Sequence, residues 1–388
     1  MECQPVAGRG DDPVAGAGAH NHEYPEQASG QGEIARRLSA AIASEPPPRP
    51  YTNPLCLRAS VLNIWLQYKL NTQARSRRMK LLIDTDAGVD DAQAIMLALC
   101  EPGVDVVGIT TLTGNVHIRQ VNPNVLTILE VMQRDVPVYA GCDRPLVQPW
   151  EDAAEFHGSD GLGGYRDRPA LTRQLQDEHG VPALLRLSRE YAGELTLIAL
   201  GSLTNIAMAL RLDPDFPARI KHFAFMGGTI AAQGNTPGLT AEYNIYTDPE
   251  AAFITLDAFP RATMLSWETT LAHGFAWDKF NQLCAIDTIN GRFFRAISQA
   301  TAERLQGVYA RPAYLLPDPL AMAVILRPQL IQQSSAHFVT VELNGAYTRG
   351  QTVIDYTGIS GKAPNVNIVQ ALDTAGVHAM FADALASG

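Results

Sequence analysis

Cysteine is sparse and unpatterned. Cys3, Cys56, Cys100, Cys142 and Cys284 form no CxxC pair and share no repeated spacing, which argues against a zinc site or a disulfide framework and for inert thiols in a reducing compartment. Long apolar runs are also missing, since no stretch reaches the roughly 18 residues that a membrane-spanning helix needs. Positive charge is in deficit: the formal net charge is -10 and no long basic stripe is present to neutralise phosphates. The expectation is a cytoplasmic, soluble protein with a small-molecule substrate and with neither a nucleic-acid nor a membrane partner.

What is present is enough apolar material for a sizeable core, 46% of the chain against 18% charged. It is unevenly placed. The first fifty residues carry Gly, Ala, Glu and Pro without hydrophobic periodicity and end in Glu45-Pro46-Pro47-Pro48-Arg49-Pro50, so burial there cannot offset chain entropy. Residues 58–78 hold an apolar patch, Val61 to Leu66, followed by Arg75, Arg77 and Arg78, which reads as a short helix or part of a targeting signal. Its distance from the start disfavours a signal peptide, and Asp11, Asp12, Glu23 and Glu26 count against an organelle presequence. The division expected is a weakly structured extension over 1–78 and one domain over 79–388, with Met79 as an alternative start.

From Met79 short apolar runs alternate with helical patterns. Lys80 to Asp84, Val104 to Thr111, Val136 to Tyr139, Leu195 to Leu200, His222 to Met226 and Ala262 to Leu265 read as strands, mostly continuous and apolar as buried parallel strands are. The fold class expected is α/β: a mainly parallel, Rossmann-like central sheet flanked by helices, with a small C-terminal β-hairpin over Val341 to Asp355 turning near Asn344-Gly345. Ligands of such sheets bind beyond the carboxyl ends of the strands.

Asp84-Thr85-Asp86-Ala87-Gly88-Val89-Asp90-Asp91 places four carboxylates between a buried strand and the first turn of a helix. Like charges so close raise one another's pKa, and a hard divalent ion relieves them. Helix capping is the competing explanation, and it accounts for one or two of the four. An ion there acidifies a water, a carboxylate takes its proton, and hydrolysis follows. A phosphate cradle is disfavoured by a loop of one glycine and four anions.

These residues resemble the inosine-uridine nucleoside hydrolase family, whose DxDxxxDD motif is matched by Asp84, Asp86, Asp90 and Asp91. The resemblance continues in order through Gly114-Asn115, His157-Gly158, Leu203-Thr204-Asn205, Met226-Gly227-Gly228, Gly234-Asn235, Glu242-Tyr243-Asn244, Asp248 to Ala252 and Asp318-Pro319. It implies that Asp86, Asp91, Asp318 and the main-chain carbonyl of Leu200 hold a calcium ion, with Asp86 also the general base. It further implies that Asp90, Asn115, Asn235, Glu242 and Asn244 grip the ribose and that His157 acts near the base or ribose. Purine or pyrimidine nucleoside catabolism and salvage, by a dimer or tetramer, would be the setting. The residues alone leave other readings open. Asn115 suits a turn, Asn205 suits a helix cap, Asp318 suits an N-cap, and Glu242 and Asn244 form an i, i+2 pair that a strand would aim at one face.

Two departures stand out. Many family members carry a histidine before the last metal aspartate, where this chain has Pro317, and Leu265 to Thr270 differs from the usual Leu-Asp-Val-Thr. Both resemble the branch found in animals. Proline cannot donate a proton, so leaving-group help falls to Glu268, His157, Tyr314, solvent, or a stacking Trp267 or Phe156, and the base preference stays open. Two rivals remain: a nucleoside-binding protein without catalysis, and a haloacid-dehalogenase phosphatase, whose DxD motif is disfavoured by Gly88 and by the extra Asp90-Asp91 pair.

Overall fold

A computed structural model describes residues 78–388. The expectations for the N-terminal extension and for a short helix before Arg78 lie outside the described residues.

Chain order runs β1 (Met79–Thr85), α1 (Val89–Cys100), β2 (Val104–Thr111), α2 (Ile118–Val131), β3 (Val138–Ala140), α3 (Ala154–His157), α4 (Gly180–Glu190), β4 (Leu195–Ala199), α5 (Thr204–Leu212), α6 (Phe216–Arg219), β5 (Ile220–Met226), α7 (Tyr243–Thr247), α8 (Pro249–Ala258) and β6 (Ala262–Leu265). It continues through α9 (Trp267–Ala272), β7 (Phe275–Ala276), α10 (Trp277–Cys284), α11 (Ile289–Gly307), β8 (Ala313–Tyr314), α12 (Pro317–Leu326), β9 (Ile331–Val341), β10 (Thr352–Asp355), β11 (Val366–Leu372) and α13 (Thr374–Ala386). No helix among the described residues is long and apolar enough to cross a membrane.

The main sheet is nine-stranded, in the order β10-β9-β11-β6-β5-β4-β1-β2-β3. From β3 to β11 every pairing is parallel, and β9 alone is reversed, running antiparallel to both β11 and β10. Strands β3-β2-β1-β4-β5-β6 thus have the order of a dinucleotide-type α/β sheet, and the chain reverses its direction of travel between β1 and β4, where such sheets place their ligands.

The central strands are apolar throughout because both faces are covered. Leu81 and Ile83 of β1 enter the core beneath α1, α2 and α12, while Leu82 between them enters the core beneath α4, α5 and α8. In β5, Ala224 and Met226 face the first layer and Phe223 and Phe225 the second. Below α1 an aromatic group closes the core, with Phe280 stacked on Tyr314 at 4.1 Å and Phe294 set between Phe280 and Phe381.

The C-terminal strands need correction. The hairpin exists, but its first arm is β9, which begins at Ile331, and Val341 pairs with Thr352. The connection therefore spans 342–351 rather than turning tightly at Asn344-Gly345. The Glu342 carboxylate accepts the N–H groups of Asn344 and Gly345 and curls that stretch around itself. β11 was not foreseen, and it lies between β9 and β6. Arg349, in that connection, pairs with Glu250 at 2.7 Å and reaches Gln148 and the Leu343 carbonyl.

Phe294 is fully buried, so Phe294→Ala is expected to cost about 3–5 kcal/mol of stability, read as a lower urea midpoint at unchanged slope. A loss below about 1 kcal/mol would mean that the α10–α11–α13 contact is not part of the cooperative core.

Candidate active site

β1 delivers Asp84 and Asp86 to the carboxyl edge of the sheet. The chain then turns through Ala87, a non-glycine residue at φ +27°, and starts α1 with Asp90 and Asp91 in its first turn. This turn forces close approaches. A Cβ on Gly114 would lie 2.0 Å from Asp86 Oδ2, and one on Gly88 would lie 2.7 Å from both Asn115 Nδ2 and His157 Nδ1, so only glycine fits either position.

The carboxylates are held by neutral donors. Asp84 Oδ1 accepts from Thr110 Oγ1 and from Asn205 Nδ2 at 2.8 Å, whereas its Oδ2 is buried without a partner. Asp86 accepts the Asn115 N–H at 2.8 Å and the Asn115 amide at 3.2 Å. Asp91 accepts the Gly88 N–H at 2.8 Å, Asn115 Nδ2 at 3.0 Å and Thr85 Oγ1. Asp91 is thus the capping residue that the sequence allowed, while Asp90 Oδ1 is buried without a hydrogen bond. Asp318 comes from the first turn of α12 and its carboxyl meets that of Asp91, with no capping bond of its own. Pro317 is the residue before it, at the first position of the helix, where its fixed φ is favourable. Carboxylate oxygens of Asp90, Asp91 and Asp318 lie within 4.8 Å of one another.

Four of these buried acids, Asp84, Asp86, Asp90 and Asp318, do not keep ordinary pKa values. Burial, and then the Asp91 charge, push Asp90 up to about 8. Burial, moderated by Thr110 and Asn205, brings Asp84 to about 7, and burial with Asp91 nearby raises Asp86 and Asp318 well above the carboxylate range. Among the described residues, none of these groups pairs with Lys or Arg.

Above them opens a cavity of about 250 Å3. Asp90, Asn115, His157, Leu200, Asn235, Glu242, Asn244 and Asp318 all line it, and Asp86 and Asp91 are buried just beneath. Glu242 and Asn244 share a short helix and not a strand, which corrects the i, i+2 expectation. The Glu242 carboxylate caps α7 by accepting the N–H groups of Asn244 and Ile245, and it also accepts that of Gly228 at 3.0 Å, while burial lifts its pKa to about 7. Asn244 Nδ2 donates to the Leu200 carbonyl at 2.6 Å and to that of Met226 at 3.2 Å. Asn235 stands exposed at the mouth.

His157 is buried at the end of α3. Its Nδ1 accepts the Val89 N–H at 3.2 Å, which assigns the hydrogen to Nε2, and burial depresses its pKa to about 4, so the ring is neutral. The glycine-rich segment after it is fastened by Asp160, which accepts from Leu162 and Gly164 and pairs with Arg168. Asn205 does not cap its helix, which begins after Leu203. It spans Asp84, the Thr111 carbonyl and the Cys142 N–H, tying three strand ends together. Of the leaving-group candidates, Phe156 and Trp267 line the cavity. Glu268 is occupied by the N–H groups of Ile230, Ala231 and Gln233, and Tyr314 is fully buried against Gln93. Sequence reasoning missed Tyr309 and Arg311, which line the cavity from a short loop that carries no motif.

Fold and site together define an α/β enzyme for small molecules, with a carboxylate centre at the switch point of its sheet. The description "inosine-uridine preferring nucleoside hydrolase" belongs to the family whose pattern residues 81–379 match. The chain is 34% identical over 309 residues to the non-specific ribonucleoside hydrolase RihC of Salmonella enteritidis, covering 79% of this chain and 98% of that one. Among solved structures, an inosine-guanosine nucleoside hydrolase superposes with a TM-score of 0.73 at 31% identity, covering 79% of this chain and 98% of the other. A plant nucleoside hydrolase does so with the same score and identity, over 80% and 99%. This chain belongs to the inosine-uridine preferring nucleoside hydrolase family.

The donor set fits a hard divalent ion, because clustered carboxylates with two partnerless buried oxygens, and with no Lys or Arg paired to them among the described residues, suit oxygen-seeking metals. Since folding raises these pKa values, the metal-free protein has its full share of this stability below pH about 4 and loses it as pH climbs through about 7 to 8. Its melting temperature is therefore expected to fall between pH 5 and pH 8 in chelator. Added divalent cation should restore more at pH 8 than at pH 5, and a chelator-insensitive melt at both values would rule the site out.

Proposed function

We propose that this protein hydrolyses the N-glycosidic bond of a ribonucleoside to ribose and free base, with residues 79–388 as the catalytic unit. The observation that carries the reading is the convergence of Asp84–Asp91 and Asp318 under a cavity whose remaining wall is largely apolar and carries Phe156, Trp267 and Tyr309. Asp86, Asp91, Asp318 and the Leu200 carbonyl would hold a calcium ion, with Asp90 adjacent. When bound, the ion supplies positive charge that offsets the carboxylates and acidifies a nearby water.

Asp86 accepts the proton of the attacking water. The water oxygen bonds to C1′, the C1′–N bond breaks, and its electron pair leaves with the base. Asp90, Asn115, Asn235, Glu242 and Asn244 take the ribose hydroxyls, since the pocket offers them both acceptors and amide donors. An oxocarbenium-like sugar is favoured by surrounding carboxylates and by hydrogen bonds that strengthen as it forms. His157, neutral and with hydrogen on Nε2, contributes a hydrogen bond to substrate, not a proton. Nucleoside salvage in the cytoplasm, by a dimer or tetramer, completes the reading.

A reducing-sugar assay with inosine, uridine, adenosine, guanosine and cytidine tests it. Ribose release is expected with calcium and not with chelator, and Asp86→Asn is expected to lower kcat by about 10³-fold with KM little changed. Ribose binding without base release from any nucleoside would favour the non-catalytic reading instead.

A further inference from the structure

The lining of the cavity holds one cationic side chain among the described residues, Arg311, and the chemistry above gives it no task. Its main chain is anchored. The Arg311 N–H donates to the Leu305 carbonyl at 2.8 Å, its carbonyl accepts Trp277 Nε1 at 3.1 Å, and Ala310 before it adopts φ +46°. Its guanidinium, by contrast, makes no hydrogen bond or ion pair with any described residue, although many arginines of this chain are held by a carboxylate, as Arg327 is by Glu101. A half-buried fork of donors in a cavity, on a fixed backbone, is a binding group without its ligand.

The surroundings say what the ligand offers. The same loop carries Tyr309, whose ring lies 6.4 Å from Phe156, which in turn meets His157 edge-on at 5.1 Å. Flat apolar faces suit a planar heterocycle. The Asp90, Glu242 and Asp318 carboxylates suit the electron-poor sugar and disfavour an anion beside them.

On the nucleoside-hydrolase reading of this cavity, we infer that Arg311 holds the charge that develops on the departing base, and that the preferred substrates are 6-oxopurine nucleosides. When the C1′–N9 bond breaks, the electron pair stays on the base and spreads to N7 and O6. Those neighbouring acceptors match the two parallel N–H donors of a guanidinium. The base afterwards takes a proton from solvent, while the proton of the attacking water has gone to Asp86. A proton donor at the position of Pro317 is then unnecessary, because a fixed cation does its work. Adenosine presents an amino group where O6 would be, donor against donor.

The test is kcat/KM for Arg311→Met and Arg311→Lys on inosine, adenosine and p-nitrophenyl riboside, whose phenolate departs without assistance. Arg311→Met is expected to lose about 100-fold on inosine, with a loss roughly tenfold smaller on p-nitrophenyl riboside, and the preference for inosine over adenosine should shrink towards parity. Arg311→Lys, which keeps the charge and loses the fork, should regain part of the inosine rate without the preference. Equal losses on inosine and p-nitrophenyl riboside would show that Arg311 only shapes its loop. An unchanged inosine rate, or a wild-type preference for adenosine, also overturns the inference. A wild-type protein silent on all three substrates would instead fail the nucleoside-hydrolase reading itself.

Discussion

Mutual repulsion among buried carboxylates is the constraint around which this molecule is arranged. Asp84, Asp86, Asp90, Asp91 and Asp318 are packed in one buried cluster at the floor of the cavity, with no Lys or Arg paired to any of them among the described residues. Charges taken out of water and left unpaired are costly. The fold answers with neutral donors: Asn115 serves Asp86 and Asp91 together, Asn205 and Thr110 serve Asp84, and the Gly88 N–H serves Asp91. It also aims the first turns of α1 and α12 at the cluster, whose exposed N–H groups favour negative charge. These measures moderate the repulsion without removing it, and the remainder is what makes the centre receptive to a cation.

The same constraint explains why the outer supports are so specific. Asn205 is valuable because one amide satisfies an acid, a carbonyl and an N–H at the ends of neighbouring strands. Gln93 plays a comparable part on α1, donating to Ser298 and Tyr314, and Tyr314 lies four residues before Asp318. That buried polar contact ties α1 to α11 and to β8, the strand that leads into α12.

Much of this was legible in the sequence. Continuous apolar runs followed by acid-rich loops mark parallel strands, so Val104–Thr111 and Ala262–Leu265 match the expected strands residue for residue. Every expected site residue either lines the cavity or lies beneath it, because the motifs sit at strand ends whose geometry the sheet dictates. What escaped is equally physical. β9 reads IQQSSAHFVTV and lies next to the edge strand, so its first half lacks the apolar signal of a covered strand. Asn205 ties strand ends where a helix cap was expected, and Glu242 caps a short helix where a strand was expected, since which amide or carboxylate meets which N–H depends on contacts far apart in the chain. Arg311 follows a long helix in a loop of no recognisable pattern, and only the closing of that loop over the sheet brings it to the pocket.

α1 runs away from the pocket. Its first turn carries the aspartates, so its last residue, Cys100, stands a full helix length away from the pocket, and there the C-terminal helix α13 ends, with Cys100 Sγ against the Ala384 carbonyl. β1 likewise begins at Met79 on that side, since it reaches the site only at its far end. Both ends of the 78–388 unit therefore emerge at the pole opposite the mouth. A fusion or anchor attached after α13 is therefore expected to leave the entrance clear.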